Sequence, residues 1–243
     1  MKLIWTFSEK LKGGKVNSKL SIEQIFQLYK YSIECASNFY TTCVYTTKLG
    51  EKFFKGLVDE IKIIPEDFDY TFLADIKYYV IQNETPSYIL IDGDLFIESE
   101  LKISTDCDFG FEYEIDYDED KAYAQFNKIF IREGIKDIIP YWKDDVSSFN
   151  LGLVYVNNTN YINDLCDDYN KVKKFYNEFI EPKYGLNKQL LQPSVTGAQY
   201  FFSLFCKHHK PTFDFFQYNN KFTHLSFKDK LKFHQFDLKK FII

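Results

Sequence analysis

From Lys2 to Ile91 the chain switches repeatedly between two hydrophobic periods, and this alternation constrains its fold more than any other feature. Lys2 to Phe7 reads as a short buried strand. Ser8 to Ser18 is polar and contains Gly13-Gly14, the composition of a loop. From Ser21, with Gln24 three residues later as a capping box, Ile22, Ile25, Phe26, Tyr29 and Ile33 recur at helical spacing and predict a helix of about four turns. Thr41 to Thr47 reads as a strand and Leu49 to Val58 as a helix. Glu60 to Ile64 is a strand stopped by Pro65, and Tyr70 to Ile81 is a helix ending before Pro86. Ser87 to Ile91 is an almost continuous apolar run, as expected of a strand buried on both faces. Strands alternating with helices over short links imply βαβ crossovers. The expected class is therefore α/β, with a mainly parallel central sheet flanked by helices.

The chain has 243 residues, 45% hydrophobic and 19% aromatic, enough to bury a sizeable core. Twenty-six Phe and nineteen Tyr point to a dense aromatic interior, with packing as the main use of the rings. With no internal repeat and no low-complexity linker, a single domain over 1–243 is expected. A nucleotide-binding half would span 1–105, and an acceptor-side half with a helical, basic C-terminal region would span 106–243. The net charge of −5 argues against a uniformly basic nucleic-acid binder. Cys35, Cys43, Cys107, Cys166 and Cys206 are odd in number and lack a CxxC pair, so reduced, mostly buried thiols are expected. No stretch approaches the roughly 18 apolar residues of a membrane span. The start, MKLIWTFSEK, turns polar too early for a signal peptide, and a cytoplasmic location is the expectation.

Beyond the centre the pattern loosens. Asp106 to Asp120 carries eight acidic residues and no basic one, and reads as a strand followed by an acidic loop. Ala122 to Ile139 reads as a helix, Phe149 to Val156 as a strand, and Tyr161 to Phe179 and Thr196 to Lys207 as helices. The tail from Lys221 onward has six Lys against two Asp, so charge is polarised along the chain.

The strongest chemical signal is ILIDGDLFI, in which Asp92 and Asp94 leave a buried strand two residues apart. In open α/β sheets ligands lie outside the carboxyl ends of the strands. Two short carboxylates there can share a hard divalent cation through oxygen, and Mg²⁺ or Mn²⁺ in turn suits phosphate oxygens. The plainer alternative is that the pair shapes a turn with Gly93.

The order of motifs resembles the nucleotide-sugar glycosyltransferases of the GT-A fold, especially the type of glycogenin and the bacterial galactosyltransferases. That family has a strand ending in D-x-D, then F-N-x-G, then an acidic-Gln pair opening a helix, then H-x-x-G-x-x-K. The counterparts here are Asp92-Gly93-Asp94, Phe149-Asn150-Leu151-Gly152, Ala198-Gln199 and His224 to Lys230. The resemblance covers most of the chain and draws its specificity from the order. Ala198 replaces the acidic member of one pair and Phe227 replaces a glycine.

The resemblance implies a metal-dependent hexosyltransferase that uses a nucleotide diphosphate donor, a UDP-sugar first, and a glycan, protein or lipid-linked acceptor. Asp92, Asp94 and His224 would hold Mn²⁺ or Mg²⁺. Asn150 and Gln199 would face the donor sugar, and Lys228 or Lys230 would contact the diphosphate. Thr6 and Phe7, at the exit of the first strand, would sit under the nucleotide base, with Phe7 the more core-like of the two. Lys77 matches a basic residue that related families place near the donor phosphates, although by spacing it reads as a solvated helix lysine.

Other groupings carry less. Cys206-Lys207-His208-His209 has metal-binding residue types, but consecutive histidines on a helix point apart. The acidic run lacks EF-hand spacing. The basic, aromatic tail suits either an anionic membrane surface or a cover over the active site with phosphate-binding lysines, the second being preferred. Two further functions stay open. A haloacid-dehalogenase-like phosphatase also ends a strand in D-x-D, but follows it with Gly-Thr where this chain has Leu95-Phe96. A non-catalytic binder on the same fold is the other, favoured by Ala198 and Phe227.

Overall fold

The computed structural model describes residues 1–9, 20–72, 74–115, 121–144, 147–158, 160–184, 193–216 and 222–225. It is a mixed α/β structure. The strands are β1 (Lys2–Phe7), β2 (Thr41–Thr46), β3 (Glu60–Ile63), β4 (Tyr88–Ile91), β5 (Leu95–Ile97), β6 (Phe109–Phe111), β7 (Glu114–Ile115), β8 (Ser148–Phe149), β9 (Leu153–Val156), β10 (Phe213–Phe215) and β11 (Phe222–His224). The helices are α1 (Ile22–Ala36), α2 (Glu51–Phe54), α3 (Asp75–Asn83), α4 (Lys121–Arg132), α5 (Ile162–Phe175), α6 (Glu181–Tyr184) and α7 (Pro193–His209). The central sheet has seven strands in the order β10-β6-β9-β4-β1-β2-β3. β1, β2 and β3 run parallel, as do β10 and β6, while β9 is antiparallel to β6. The βα alternation expected up to Ile91 is observed element by element. Most of the loop expected over Ser8 to Ser18, and of the basic tail expected from Lys221, lies outside the described residues.

The chain divides into two compact units. The first comprises Met1–Glu66, Ile91–Leu101 and Tyr218–Ile243. Its strands bury Leu3, Ile4, Trp5, Cys43 and Val44 completely. α1 starts where the sequence predicts. The Ser21 hydroxyl accepts from the Gln24 amide at 3.2 Å, and the Gln24 side chain accepts from the Ser21 amide at 2.9 Å, so two otherwise orphaned donors are satisfied. α2 is far shorter than the predicted 49–58 helix. Its cap residue is Lys55, and Gly56 follows at φ 81°, a left-handed conformation that a helix cannot continue through.

The second unit comprises Asp67–Leu90 and Lys102–Gln217. α3 begins at Asp75, not at Tyr70, because the Asp75 carboxylate accepts the backbone N–H groups of Thr71 and Phe72, both at 2.7 Å, and folds that segment into a turn. Asp75 is buried, receives the Tyr169 hydroxyl at 2.7 Å and lies 3.2 Å from the Lys173 ammonium. Burial pushes its carboxyl above the ordinary value, against the opposing pull of Lys173. Tyr78 stacks on Tyr169 at 3.5 Å between ring centres. The predicted strand over Phe149 to Val156 is two strands, β8 and β9, because the Asn150 side chain accepts the Gly152 amide at 2.6 Å and turns the backbone between them. The predicted helix over Ala122 to Ile139 ends at Arg132. Gly134, at φ 93°, admits a short 3₁₀ turn (Ile135–Asp137) in its place.

The helix expected over 161–179 continues past α5 through a π-helical turn, Tyr176–Ile180, into α6. Aromatic rings fill this unit's core. Phe202 meets Phe109 and Phe111 edge-on at 5.2 and 5.1 Å, and Phe149 lies 4.4 Å from Phe111. All five cysteines are free thiols and four are buried, as expected. No helix among the described residues is long and apolar enough to cross a membrane.

Replacing Asp75 by alanine strips two backbone amides, a buried phenol and a lysine of their common acceptor. The Asp75→Ala variant is expected to lose about 3 kcal/mol of stability, measured as a lower midpoint in urea denaturation.

Candidate metal site

β4 is buried along its whole length, and the chain leaves it directly into Asp92-Gly93-Asp94. The Leu95 amide closes this turn on the Asp92 carbonyl at 3.2 Å, and β5 begins at once. β11 lies antiparallel to β5, with His224 paired to Leu95, and the Leu225 amide donates to the Asp94 carbonyl at 3.0 Å. That pairing carries a residue from near the C-terminus onto the turn. One ligand atom from each of Asp92, Asp94 and His224 lies within 4.8 Å of the other two, and His224 Nε2 is 3.6 Å from an Asp94 oxygen. The Asp94 side chain is 12% exposed and that of His224 24%. Ligand atoms around one ion with bonds of about 2.1–2.4 Å lie at most about 4–5 Å apart, so two carboxylates and an imidazole at this spacing fit a hard or borderline divalent cation. Among the described residues this is the only set of three or more acidic, histidine or cysteine side chains so grouped.

The turn is backed by α1. A Cβ added at Gly93 would stand 2.3 to 2.5 Å from the ring atoms of Tyr29, closer than real contacts allow, so the position is restricted to glycine by a neighbour rather than by its own φ. The Tyr29 hydroxyl donates to the Thr6 carbonyl at 2.8 Å. Burial pushes the Tyr29 phenol well above its ordinary pKa, and the negative charge of Asp92 adds to the effect. One turn further along α1, Ser32 receives the Trp5 indole N–H at 2.9 Å and donates to the carbonyl of Leu95. Tyr29 and Ser32 are therefore site residues that sequence reasoning missed. The available signal was a serine on the buried face of an amphipathic helix, three residues from a tyrosine.

The remaining predicted residues fall as follows. Thr6 is half-buried, with its carbonyl engaged by Tyr29. Phe7 is 2% exposed and packs edge-on against Tyr29, Phe53 and Phe54 at 5.1 to 6.0 Å, which makes its ring core. In the second unit, Lys77 is buried and not a solvated helix lysine. It occupies the first turn of α3, faces inward, and its ammonium donates to the Leu151 carbonyl. Asn150 is buried, its oxygen accepting from Gly152 and its amide donating to the Tyr113 hydroxyl at 2.9 Å. Gln199 is half-buried on α7, where its carbonyl accepts from Ser203 at 3.2 Å. Ala198 is completely buried and its carbonyl takes the Tyr78 hydroxyl, so an acidic side chain at this position would be stripped of water. Phe227, Lys228 and Lys230 lie outside the described residues.

His208 stacks on Tyr141 and His209 on Phe205, at 4.3 and 4.2 Å between ring centres, and Cys206 is buried. Desolvation lowers the His209 pKa, with the neighbouring His208 adding to it. In the acidic run, Asp108 accepts from Thr212 and Asn158, and Glu114 pairs with Lys207 at 2.9 Å. Both are ties within the fold, and 116–120 lie outside the described residues.

No family model and no curated protein matches the chain. Solved structures with a similar chain path include mouse xyloside xylosyltransferase 1 in its apo form, at 12% identity, covering 88% of this chain and 84% of that one with a TM-score of 0.45. HddC from Yersinia pseudotuberculosis is similar at 12% identity over 99% of both chains, TM-score 0.45. The glycosyltransferase GlyE of Streptococcus pneumoniae TIGR4 is similar at 12% identity over 88% of this chain and 44% of that one, TM-score 0.42, so this chain spans less than half its length. Each is a likeness of chain path at low identity, and the chemistry of the site rests on its own side chains.

Gly93→Ala forces the Tyr29 ring and the turn apart. The variant is expected to lose about 1–3 kcal/mol of stability by chemical denaturation. In a Tyr29→Ala background the added cost of Gly93→Ala is expected to fall to a small fraction, which a double-mutant cycle measures.

Proposed function

We propose that this chain is a metal-dependent glycosyltransferase that moves a sugar from a nucleotide diphosphate donor, a UDP-sugar first, to a hydroxyl of a glycan, protein or lipid-linked acceptor. The observation that carries the reading is the convergence of Asp92, Asp94 and His224 after a fully buried strand. Carboxylates are acceptors only and suit a hard cation, and the imidazole nitrogen favours Mn²⁺ alongside Mg²⁺. An ion held there would offset the charge that develops on a departing diphosphate. The chain's own part is to hold its three donors together and to orient donor and acceptor.

Lys228 and Lys230 follow the His224 strand closely in sequence and are proposed for diphosphate contact. Thr6 is proposed for the nucleotide side, at the exit of β1. Asn150 keeps one amide hydrogen and one oxygen lone pair beyond the two bonds described, enough to meet a sugar hydroxyl, and Gln199 is proposed beside it. Lys77 contributes a buried positive charge next to the Asn150 turn.

The buried Ala198 favours a second reading, a binder of the same ligands without transfer, since it offers no carboxylate to act on the sugar. Thermal shift with UDP-, GDP- and CDP-sugars, with and without Mn²⁺, separates the two when combined with a transfer assay. The expected result is a rise in Tm that needs both Mn²⁺ and one nucleotide class, with transfer abolished by EDTA. The Asp92→Ala, Asp94→Ala double variant is expected to lose at least about a hundredfold in transfer, since a metal supplies several kcal/mol of charge stabilisation. Full activity in that variant sinks the proposal, and ligand-induced shifts without turnover favour the binder.

A further inference from the structure

We propose that Tyr29 is a positioning residue that sets the Asp92-Gly93-Asp94 turn in its metal-competent shape before any ion arrives, with Ser32 as its partner on the same face of α1. The proposal deepens the metal reading of the site and rests on it for its link to binding.

Three contacts carry it. The Tyr29 ring lies against Gly93 so closely that no side chain fits between them. Its hydroxyl donates to the Thr6 carbonyl at 2.8 Å, which ties the ring to the end of β1 and stops it swinging away. Ser32, three residues on, donates to the carbonyl of Leu95, the residue after Asp94, and is itself fixed by the Trp5 indole at 2.9 Å. Residues three apart on a helix share a face. One helix face therefore grips the turn at its middle and at its far end. The third ligand leans on the same helix, because Leu225, next to His224, packs on the cluster of Leu28, Tyr31 and Phe96.

The physical need is geometric. One ligand atom from each of Asp92, Asp94 and His224 must stay within 4.8 Å of the others, and a turn whose backbone drifts loses that spacing. A site that must first be reassembled binds its ion more weakly, because part of the binding free energy goes into ordering the ligands. Tyr29 meets the turn at Gly93 and Ser32 meets the Leu95 carbonyl, so both act through the backbone of this segment.

Two readouts test this on Tyr29→Phe, which keeps the ring and loses the hydroxyl, and on Tyr29→Leu, which loses both. Hydrogen exchange of the metal-free protein is expected to be at least tenfold faster at the amides of residues 93–95 in Tyr29→Leu, with β2 amides unchanged. Calorimetric titration with Mn²⁺ is expected to show affinity reduced about threefold in Tyr29→Phe and about 10- to 100-fold in Tyr29→Leu, the range typical of groups that orient metal ligands. A folded Tyr29→Leu with wild-type exchange at 93–95 overturns the proposal. Should Tyr29→Leu fail to fold, Tyr29→Phe and Ser32→Ala decide by the same exchange measurement, unchanged rates in both being the refutation. If the wild type binds no Mn²⁺ yet exchange at 93–95 rises in the variants, the metal reading falls and the positioning role stands. If the wild type binds Mn²⁺ and the variants match it in both readouts, the reverse holds.

Discussion

Asp92, Asp94 and His224 come within 4.8 Å of one another only because the short turn after β4 has the shape it has, and several elements bear on that turn. β4 brings the chain to Asp92 along a fully buried path, so the turn starts from a fixed point. β5 pairs with β11 immediately after it and brings His224 back within reach of Asp94. α1 closes the arrangement from behind through Tyr29 and Ser32. β11 and α1 meet backbone atoms of the turn or of Leu95 after it, and the three candidate ligand side chains converge there.

The aromatic content of the chain is used mainly for this kind of backing. In the first unit Phe7, Phe26, Tyr29, Phe53 and Phe54 meet mostly edge to face, at 5.1 to 6.1 Å, and the ring against Gly93 belongs to that group. Large rings suit a thin layer between a helix and a strand end, because they bury much area with few rotatable bonds. In the second unit Phe109, Phe111, Phe149 and Phe202 do the same for the strands that precede and follow Asn150. Phe179 is among the large side chains that stay exposed, and Tyr113 stands half in solvent with its hydroxyl engaged by Asn150.

Elements whose cause is local were legible from the amino acids. The capping box at Ser21 sets the start of α1 by bonds that span three residues, and the buried run before Asp92 allows little but an interior strand. Elements whose ends depend on a side chain reaching back were misread. Asp75 gathers the amides of Thr71 and Phe72 and delays α3, and Asn150 bends the chain between β8 and β9. Both are polar side chains that compete with the ladder or helix their neighbours would otherwise form. Gly56 and Gly134 stop helices by adopting positive φ, which glycine permits but its presence alone does not announce.

The candidate site divides along the same line. That two carboxylates leave a buried strand two residues apart is legible in the amino acids, because hydrophobic period and residue spacing are properties of contiguous chain. Motif order further pointed to His224 as their partner. That His224 reaches them follows from the fold, since it depends on β11 pairing with β5 across about half the length of the chain. The tertiary structure alone decided that Gly93 is demanded by the ring of Tyr29, that Lys77 is buried on the Leu151 carbonyl, and that a charge in place of Ala198 would be stripped of water. Each of those facts is set by which face of a helix meets which strand. Packing chooses that face, and periodicity along a single segment does not encode the neighbour it will meet.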